Sequence, residues 1–387
     1  MQVFGVVAEC NPLHTGHELL LAEAKRRGAD AVVAVMSGSF VQRGEPAVLS
    51  KFDRAADMAR AGYDVVLELP VRYALSSAQR FAEGGVSALA QTGIVNTLFF
   101  GSECGDLAAL QALAAVLQQQ DTAAAIKAYT EQGISYPAAQ QRAVAEKCSE
   151  NVANLLNGSN NILAVEYLRA NERLQLGLSA QTVLRAPAAP SAHGIRRDAA
   201  AGLPLGGRVR EHTAELLAGG GAIDQALWQR VAMYKLREMD EAQFSLLADA
   251  GGGMAERMAQ AARCCATLDA FCEAVKTRRY TMSRVKRMAC CAALGLFGVP
   301  ELPTPYLRVL AIGPKGRQLL GEMKKRCSVP FSESLLKLSD TDARCAAFAK
   351  EECRATDLYN FVRKQPLAVG EDFTRRLYVS HCDEVSV

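Results

Sequence analysis

"VFGVVAECNPLHTGHELLLAEAKRRG", residues 3–28, decides how this chain is read. Its first six residues form an apolar run of the kind found in a strand buried on both faces. From about Gly16 to Gly28 the apolar residues recur at helical spacing, and Gly28 supplies the stop. "NPLHTGH" therefore lies on a strand-to-helix loop. The helix N-terminus there offers unpaired backbone N–H groups and a partial positive charge, which together suit a phosphate. Two of the chain's five histidines, His14 and His17, sit at this point. Imidazoles so placed can donate to phosphate oxygens and stabilise charge that develops around phosphorus. The plainer alternative makes His14 an N-cap and His17 a solvated face residue.

The same beat continues outward. "ADAVVAVMSG" (29–38), "DVVLELP" (64–70) and "IVNTLFFGSE" (94–103) read as three further strands. Helical segments at 49–62, with Ser50 as its cap, and at 76–93 separate them. Buried strands alternating with amphipathic helices predict an α/β fold, a Rossmann-like parallel sheet covered on both faces, with ligands at the carboxyl ends of the strands. Residues 106–168 read as helical, and a last strand falls in "LGLSAQTVLRAP" (176–187). Beyond that, helix formers dominate, broken at "AGGGA" (218–222) and "GGG" (251–253), with one short strand in "YLRVLAIG" (306–313). The expected organisation is a catalytic domain over 1–196 and a mostly α-helical domain over 197–387.

The totals are those of an ordinary globular protein: 387 residues, half of them apolar and 22% charged. No apolar run approaches the roughly 18 residues of a membrane span, and no signal peptide is expected at the N-terminus. A net charge of +3 does not announce a nucleic-acid binder, so the distribution of charge matters more than its sum. The twelve cysteines are irregularly spaced with no C-x-x-C, so reduced thiols and no metal site are expected. A cytoplasmic location follows from the same reading.

"HTGH" after a first strand resembles the H-x-G-H signature of the nucleotidyltransferase superfamily. The blocks that follow are more specific. "AECNPLHTGHELLL", "SFVQRGEPAVLSKFDRA", "FFGSECGD", "NGSNNILAVEYLRA" and "SAHGIR" occur in order, and "MYKLREMD", "KTRRYTMSRVKRM" and "YLRVLAIGPKGRQLL" carry the likeness nearly to the end. Together they resemble the bacterial tRNA(Met) cytidine acetate ligase family. The resemblance implies that acetate attacks the α-phosphate of ATP, and that the resulting acetyl group passes to N4 of the wobble cytidine of elongator tRNA(Met). Mg²⁺ would accompany the nucleotide.

The resemblance carries over to particular residues. Val7, Ala8, Glu9, Cys10, Asn11, Pro12, Leu13, His14, Thr15, Gly16, His17, Glu18, Leu19 and Leu20 match the ATP-binding stretch, with His14 and His17 as the catalytic pair. Gly101, Asn160, Asn161 and Arg185 match nucleotide contacts, and Ser191 and Arg196 of "SAHGIR" would face the outer phosphates. The family often has Tyr at Cys10, Phe at Leu13, Asn at Thr15, Pro at Ser159 and Thr-Ala at His193-Gly194; none of these departures removes a phosphate-binding group.

Two further blocks lie outside this set. The QRG loop follows the second strand, so Gln42, Arg43 and Lys51 are candidates for acetate or phosphate. In 276–288, Lys276, Arg278, Arg279, Tyr280, Arg284 and Arg287 combine cations with an aromatic, a pattern suited to RNA phosphates and bases. Lys315 and Arg317 would extend that surface. The alternative is a nucleotidyltransferase that makes a soluble adenylylated product, for which the basic segment would be a solvated face.

Overall fold

A computed structural model describes residues 1–185, 191–278 and 280–380. Its strands in chain order are β1 (Val3–Ala8), β2 (Ala31–Ser37), β3 (Phe40–Val41), β4 (Glu45–Pro46), β5 (Val65–Leu69), β6 (Thr97–Ser102), β7 (Ser179–Leu184), β8 (Leu307–Ile312), β9 (Phe331–Ser332) and β10 (Tyr378–Val379). β3 and β4 form a small antiparallel ribbon. The other eight make one sheet in the order β10-β8-β5-β2-β1-β6-β7, with β9 added beside β8.

The five strands read from the first part of the sequence, β1, β2, β5, β6 and β7, pair in parallel throughout. All residues of β2 and β5 are buried, as continuous apolar runs in a doubly covered sheet must be. Chain order reverses beside β1: β2 and β5 build outward on one side, β6 and β7 on the other. That reversal opens a crevice at the carboxyl ends of β1 and β6, where an α/β sheet receives its ligand. Helix Lys51–Ala61 is capped by Ser50, whose side chain accepts from the Asp53 N–H, and it stops at Gly62 in the left-handed region (φ 102°).

The boundary expected at 196/197 does not separate two cores. β8 runs antiparallel against β5 in the first sheet, and its six residues are all buried. Leu307, Val309, Leu319, Met323 and Phe348 join the core that holds Val3, Val35 and Leu67. The physical reason is the edge that β5 would otherwise expose, unpaired and apolar. The part with a core of its own is narrower: Met233, Phe244, Met258, Phe271, Val285 and Met288 form a helical cluster. A third cluster, including Phe40, Trp228, Leu294 and Tyr359, joins helical part to sheet.

Polar contacts lock β8 in place. Lys51 Nζ lies 2.6 Å from Glu68 Oε1 and 2.7 Å from Asp372 Oδ1. Arg308 Nη1 reaches Glu68 Oε2 at 3.1 Å and also pairs with Asp372. The four side chains are at most 2% exposed. Nearby Glu352 accepts from the Val71 N–H, and burial, together with the charge on Glu68, pushes its carboxyl well above the usual range. A neutral Glu352 leaves two cations facing two carboxylates. Lys51, a candidate ligand for a small anion, is thus enclosed with its charge already matched.

Removing one partner of a buried pair strands the remaining charge. Lys51→Met should therefore cost about 3–5 kcal/mol of unfolding free energy. Chemical denaturation checks this, and a loss below about 1 kcal/mol would show that the network is solvated rather than dry.

Candidate active site

The first loop shows how both histidines are used. Cys10 takes a positive φ of 45°, uncommon for a side chain with a Cβ, and turns the chain off β1. The helix begins at Thr15, with His14 as its N-cap. His14 Nδ1 accepts from the Gly16 N–H at 3.0 Å, and His17 Nδ1 accepts from the His14 N–H at 3.3 Å. This reciprocal capping box places the two rings 4.0 Å apart between centroids. An Nδ1 that accepts must carry no proton, so each neutral ring bears its proton on Nε2. Both imidazoles are thereby donors. Capping and ligand donation, competing readings in the sequence, are compatible, because capping uses Nδ1 and leaves Nε2.

Electrostatics keep the rings neutral. Burial, and then the charge of Arg185, lowers His14 to about 4. Burial, His14 and Arg185 together hold His17 well below its ordinary value.

The rings open on a cavity of about 930 Å³. Val7, Ala8, Glu9, Cys10, Asn11, His14, Gly16, His17, Leu19 and Leu20 line it. Pro12, Leu13, Thr15 and Glu18 of the expected stretch do not. Leu13 is in the core beneath, the Thr15 N–H donates to the Arg208 carbonyl, and Glu18 pairs with Arg210 at 2.7 Å. Cys10 is buried, and desolvation pushes its thiol up to about 12, so it is a small apolar wall and no nucleophile.

Gly101 lines the cavity, and a Cβ there would meet nothing closer than the Val183 carbonyl oxygen at 3.9 Å. The space beside it opens into the cavity. Asn160 is on the wall, its backbone and side-chain N–H groups held by Glu103 Oε1 at 3.0 and 2.8 Å. Asn161 is not on the wall. Its Oδ1 accepts from the Glu103 and Cys104 N–H groups at 2.9 and 3.2 Å, and its Nδ2 donates to the Leu155 carbonyl at 3.1 Å. Its amide is spent on shaping the loop after β6.

Arg185 lines the cavity near both imidazoles. Ser191 caps the helix Ala192–Ala200 by accepting from the Gly194 N–H. Arg196 donates to the Asn11 carbonyl at 2.7 Å and pairs with Glu45 at 3.1 Å. Ser191, His193 and Arg196 all face the cavity.

Gln42 and Arg43 are also on the wall, and the Gln42 N–H donates to Glu9 Oε1 at 2.7 Å. Arg54, near them in sequence, is a structural bracket: it donates to the carbonyls of Glu9, Leu49, Ser37 and Gly38 and is fully buried.

The late basic segment divides. Arg284 and Arg287 reach the cavity, while Lys276 and Arg278 are exposed outside it. Tyr280 is not a free stacking platform; it is buried, its hydroxyl donates to the Gly251 and Gly252 carbonyls, and Arg284 covers its ring at 4.7 Å. Arg279 lies outside the described residues. Lys315 lies elsewhere: its N–H donates to Asp64 Oδ1 at 3.0 Å and its ammonium to the Asp30 carbonyl. Those residues precede β5 and β2, so Lys315, with Arg317 two residues on, lies at the amino ends of the strands, opposite the cavity.

Sequence reading missed Ser77, Gln79, Asp249, Thr281 and Ser283 on the wall. Each is a single polar residue in a loop or first helical turn, with no spacing pattern to mark it. Carboxylates on the wall come from Glu9, Glu166 and Asp249, in separate segments. Among the described residues no three His, Cys, Asp or Glu side chains converge for a metal.

A parallel-sheet crevice with two Nε2 donors at a helix N-terminus and arginines around it defines a nucleotide-phosphate site of the nucleotidyltransferase class. Comparison with known proteins agrees. The sequence model for HIGH Nucleotidyl Transferase matches residues 1–372. The tRNA(Met) cytidine acetate ligase of Acetivibrio thermocellus is 34% identical, covering 98% of this chain and all of that one. The ligase of the same name from Alkaliphilus metalliredigens is 32% identical over 96% of this chain and 97% of its own. The crystal structure of Thermotoga maritima TmcAL bound with alpha-thio ATP superposes with a TM-score of 0.88 at 29% identity, covering 98% of this chain and all of that one. The chain belongs to the HIGH nucleotidyltransferases and, within them, to the tRNA(Met) cytidine acetate ligase family.

Gly101→Ala should fold normally but weaken ATP binding by about tenfold, equivalent to about 1.4 kcal/mol. Isothermal titration beside a thermal melt checks this, and unchanged affinity would remove Gly101 from the nucleotide contact. The histidines set a pH window. Their folded pKa values lie below the unfolded value, so the unfolded chain binds more protons between about pH 4 and 6.5, and stability should fall as pH drops through that range. NMR of ring nitrogens in the ligand-free protein should show neutral Nε2–H tautomers at pH 6; a protonated ring there would contradict the capping geometry.

Proposed function

We propose that this chain is an ATP-dependent ligase that activates acetate as acetyl-adenylate and transfers the acetyl group to N4 of the wobble cytidine of elongator tRNA(Met). One observation carries the reading: two imidazole donors at a helix N-terminus open on a cavity walled by both the sheet and the late helical segment. This occurs in a chain similar over its whole length to ligases of that name.

In the first step an acetate oxygen bonds to the α-phosphorus of ATP while the bond to pyrophosphate breaks. The Nε2–H groups of His14 and His17 donate to phosphate oxygens as charge moves onto the leaving group. Being neutral, they supply hydrogen bonds without a proton that pyrophosphate could remove. Arg185 and Arg196, with the helix N-terminus at Ser191, bind the outer phosphates. Mg²⁺ fits as an ion carried in by the triphosphate and held mainly by its oxygens and by water, because the wall carboxylates are scattered. Acetate offers two oxygens and a methyl group, so one or two donors beside an apolar wall suffice for it. With Lys51 enclosed, Gln42 is the donor we assign to it.

In the second step the cytidine amine attacks the acetyl carbonyl, the bond to AMP breaks, and the proton lost by the amine passes to water. The acceptor base must reach the same cavity, whose wall includes Thr281, Ser283, Arg284 and Arg287 of the late helical segment. The reaction belongs in the cytoplasm, with its tRNA. A route to a soluble adenylylated product leaves the late helical wall without a role.

Purified protein incubated with ATP, labelled acetate and tRNA should yield both acetyl-adenylate and labelled tRNA. Absence of both would overturn the ligase reading. His17→Ala should reduce acetate-dependent ATP–pyrophosphate exchange by about a hundredfold, the scale of losing one transition-state donor. Exchange within about twofold of wild type would refute the role of His17.

A further inference from the structure

The QRG loop and the helix Met282–Leu294 meet through bare backbone. Gly44 has a φ of 77°, and a Cβ on it would collide with the Lys286–Arg287 peptide, only 2.7 Å from the Lys286 carbonyl oxygen. Glycine is required there for both reasons. The contact sets Arg43, one residue earlier, beside the turn of helix that carries Arg284 and Arg287. All three side chains line the same cavity.

Their charges are only partly matched. Among the described residues Arg43 has no hydrogen-bond or ion-pair partner, and it is exposed at the mouth. Arg287 has none either; its Nε is shielded from water, and desolvation pulls its guanidinium down. Arg284 donates only to the Asp249 carbonyl, at 2.6 Å, and its Nε is also shielded and unbonded. Neighbouring arginines differ. In a smaller adjoining cavity of about 270 Å³, Arg72 pairs with Glu351 and Arg80 pairs with Glu83 at 2.8 Å, whereas Arg287 on the same wall feels Asp249 but makes no ion pair among the described residues. Asp249 acts on Arg287 and Glu9 on Arg43 through space without forming an ion pair, so three guanidiniums face two carboxylates. Three guanidiniums against two carboxylates leave excess positive charge beside the cavity, which an anion can match.

We propose that Arg43, Arg284 and Arg287 form a clamp for a backbone phosphate of the acceptor RNA, holding the target nucleotide while its base enters the cavity. The inference rests on the ligase reading. Three guanidiniums exceed what one acetate carboxylate can use. The triphosphate already has the imidazoles, Arg185 and Arg196 on the sheet side. A base that must reach a mixed anhydride inside the cavity leaves its flanking phosphates at the mouth, where arginines grip them in forked geometry. Exposed Lys276 and Arg278, shortly before this helix, continue the positive track outward.

The test compares wild type with Arg43→Ala, an exposed change that cannot unfold the chain, and with Arg287→Met, checked by thermal melting. Tightness for tRNA is read from its KM in acetylation and from filter binding over a salt series. Each variant should raise the tRNA KM about tenfold and lower the salt slope by about one. The loss in transfer should exceed the loss in acetate-dependent ATP–pyrophosphate exchange at least about tenfold. Equal losses in both, or a raised KM for ATP or acetate in exchange, would assign the cluster to the small substrates and overturn the clamp. Unchanged tRNA affinity in both variants would overturn it too. A wild type that binds tRNA without acetylating it would sink the ligase reading alone, since binding by the variants still decides the clamp.

Discussion

Lys51 and Arg308 share the carboxylates of Glu68 and Asp372 in a place closed to water, and the layout of the molecule depends on that shared pairing. The four residues come from a helix start, from β5, from β8 and from the short helix Glu371–Thr374 near the described C-terminal end. Charges buried in this way tolerate few arrangements, because any slip leaves one of them unpaired. β8 is therefore held in one register beside β5. The chain leaves the sheet after β7 and must return to it at β8, so the helical segment between them is anchored at both ends. That double anchor makes it a wall of the cavity and not a tethered neighbour.

On the opposite wall the controlling feature is smaller. A capping box made of two histidines sets ring orientation and tautomer together, because each Nδ1 is engaged by backbone. Burial and Arg185 then keep the rings uncharged. Local helix-start chemistry thus positions two donors on the cavity wall, and Arg54 braces the same loop from below by donating to four carbonyls. Neutral donors beside arginines divide the work. In the proposed reaction the arginines supply charge for binding, and the imidazoles supply directed hydrogen bonds where charge moves.

Much of this was legible in the sequence. β1, β2, β5, β6 and β7 stand where apolar runs alternate with helical periods, since strand and helix burial each impose a local period. The phosphate loop was legible because a strand, a helix start and two histidines adjoin. Lys51 was misplaced because a lysine beside a ligand loop looks the same whether its ammonium turns outward or into a pair with residues 17 and 321 positions away. Asn161 and Tyr280 were misjudged for the same reason: the groups that consume their polar atoms lie in other segments. Lys315 has a basic sequence context, yet the antiparallel direction of β8 carries it to the far end of the sheet.

By itself the sequence determined the α/β class, the helix-start phosphate loop and, through its order of motifs, the family. Those depend on residues close together in the chain, where periodicity and capping act. Tertiary structure alone decided which cations remain free. It enclosed Lys51 and Arg54, sent Lys315 away, and brought Arg43 beside Arg287 through the bare backbone of Gly44. The physical reason is that a charge is available to a ligand only where no partner in the fold has matched it, and those partners are distant in sequence.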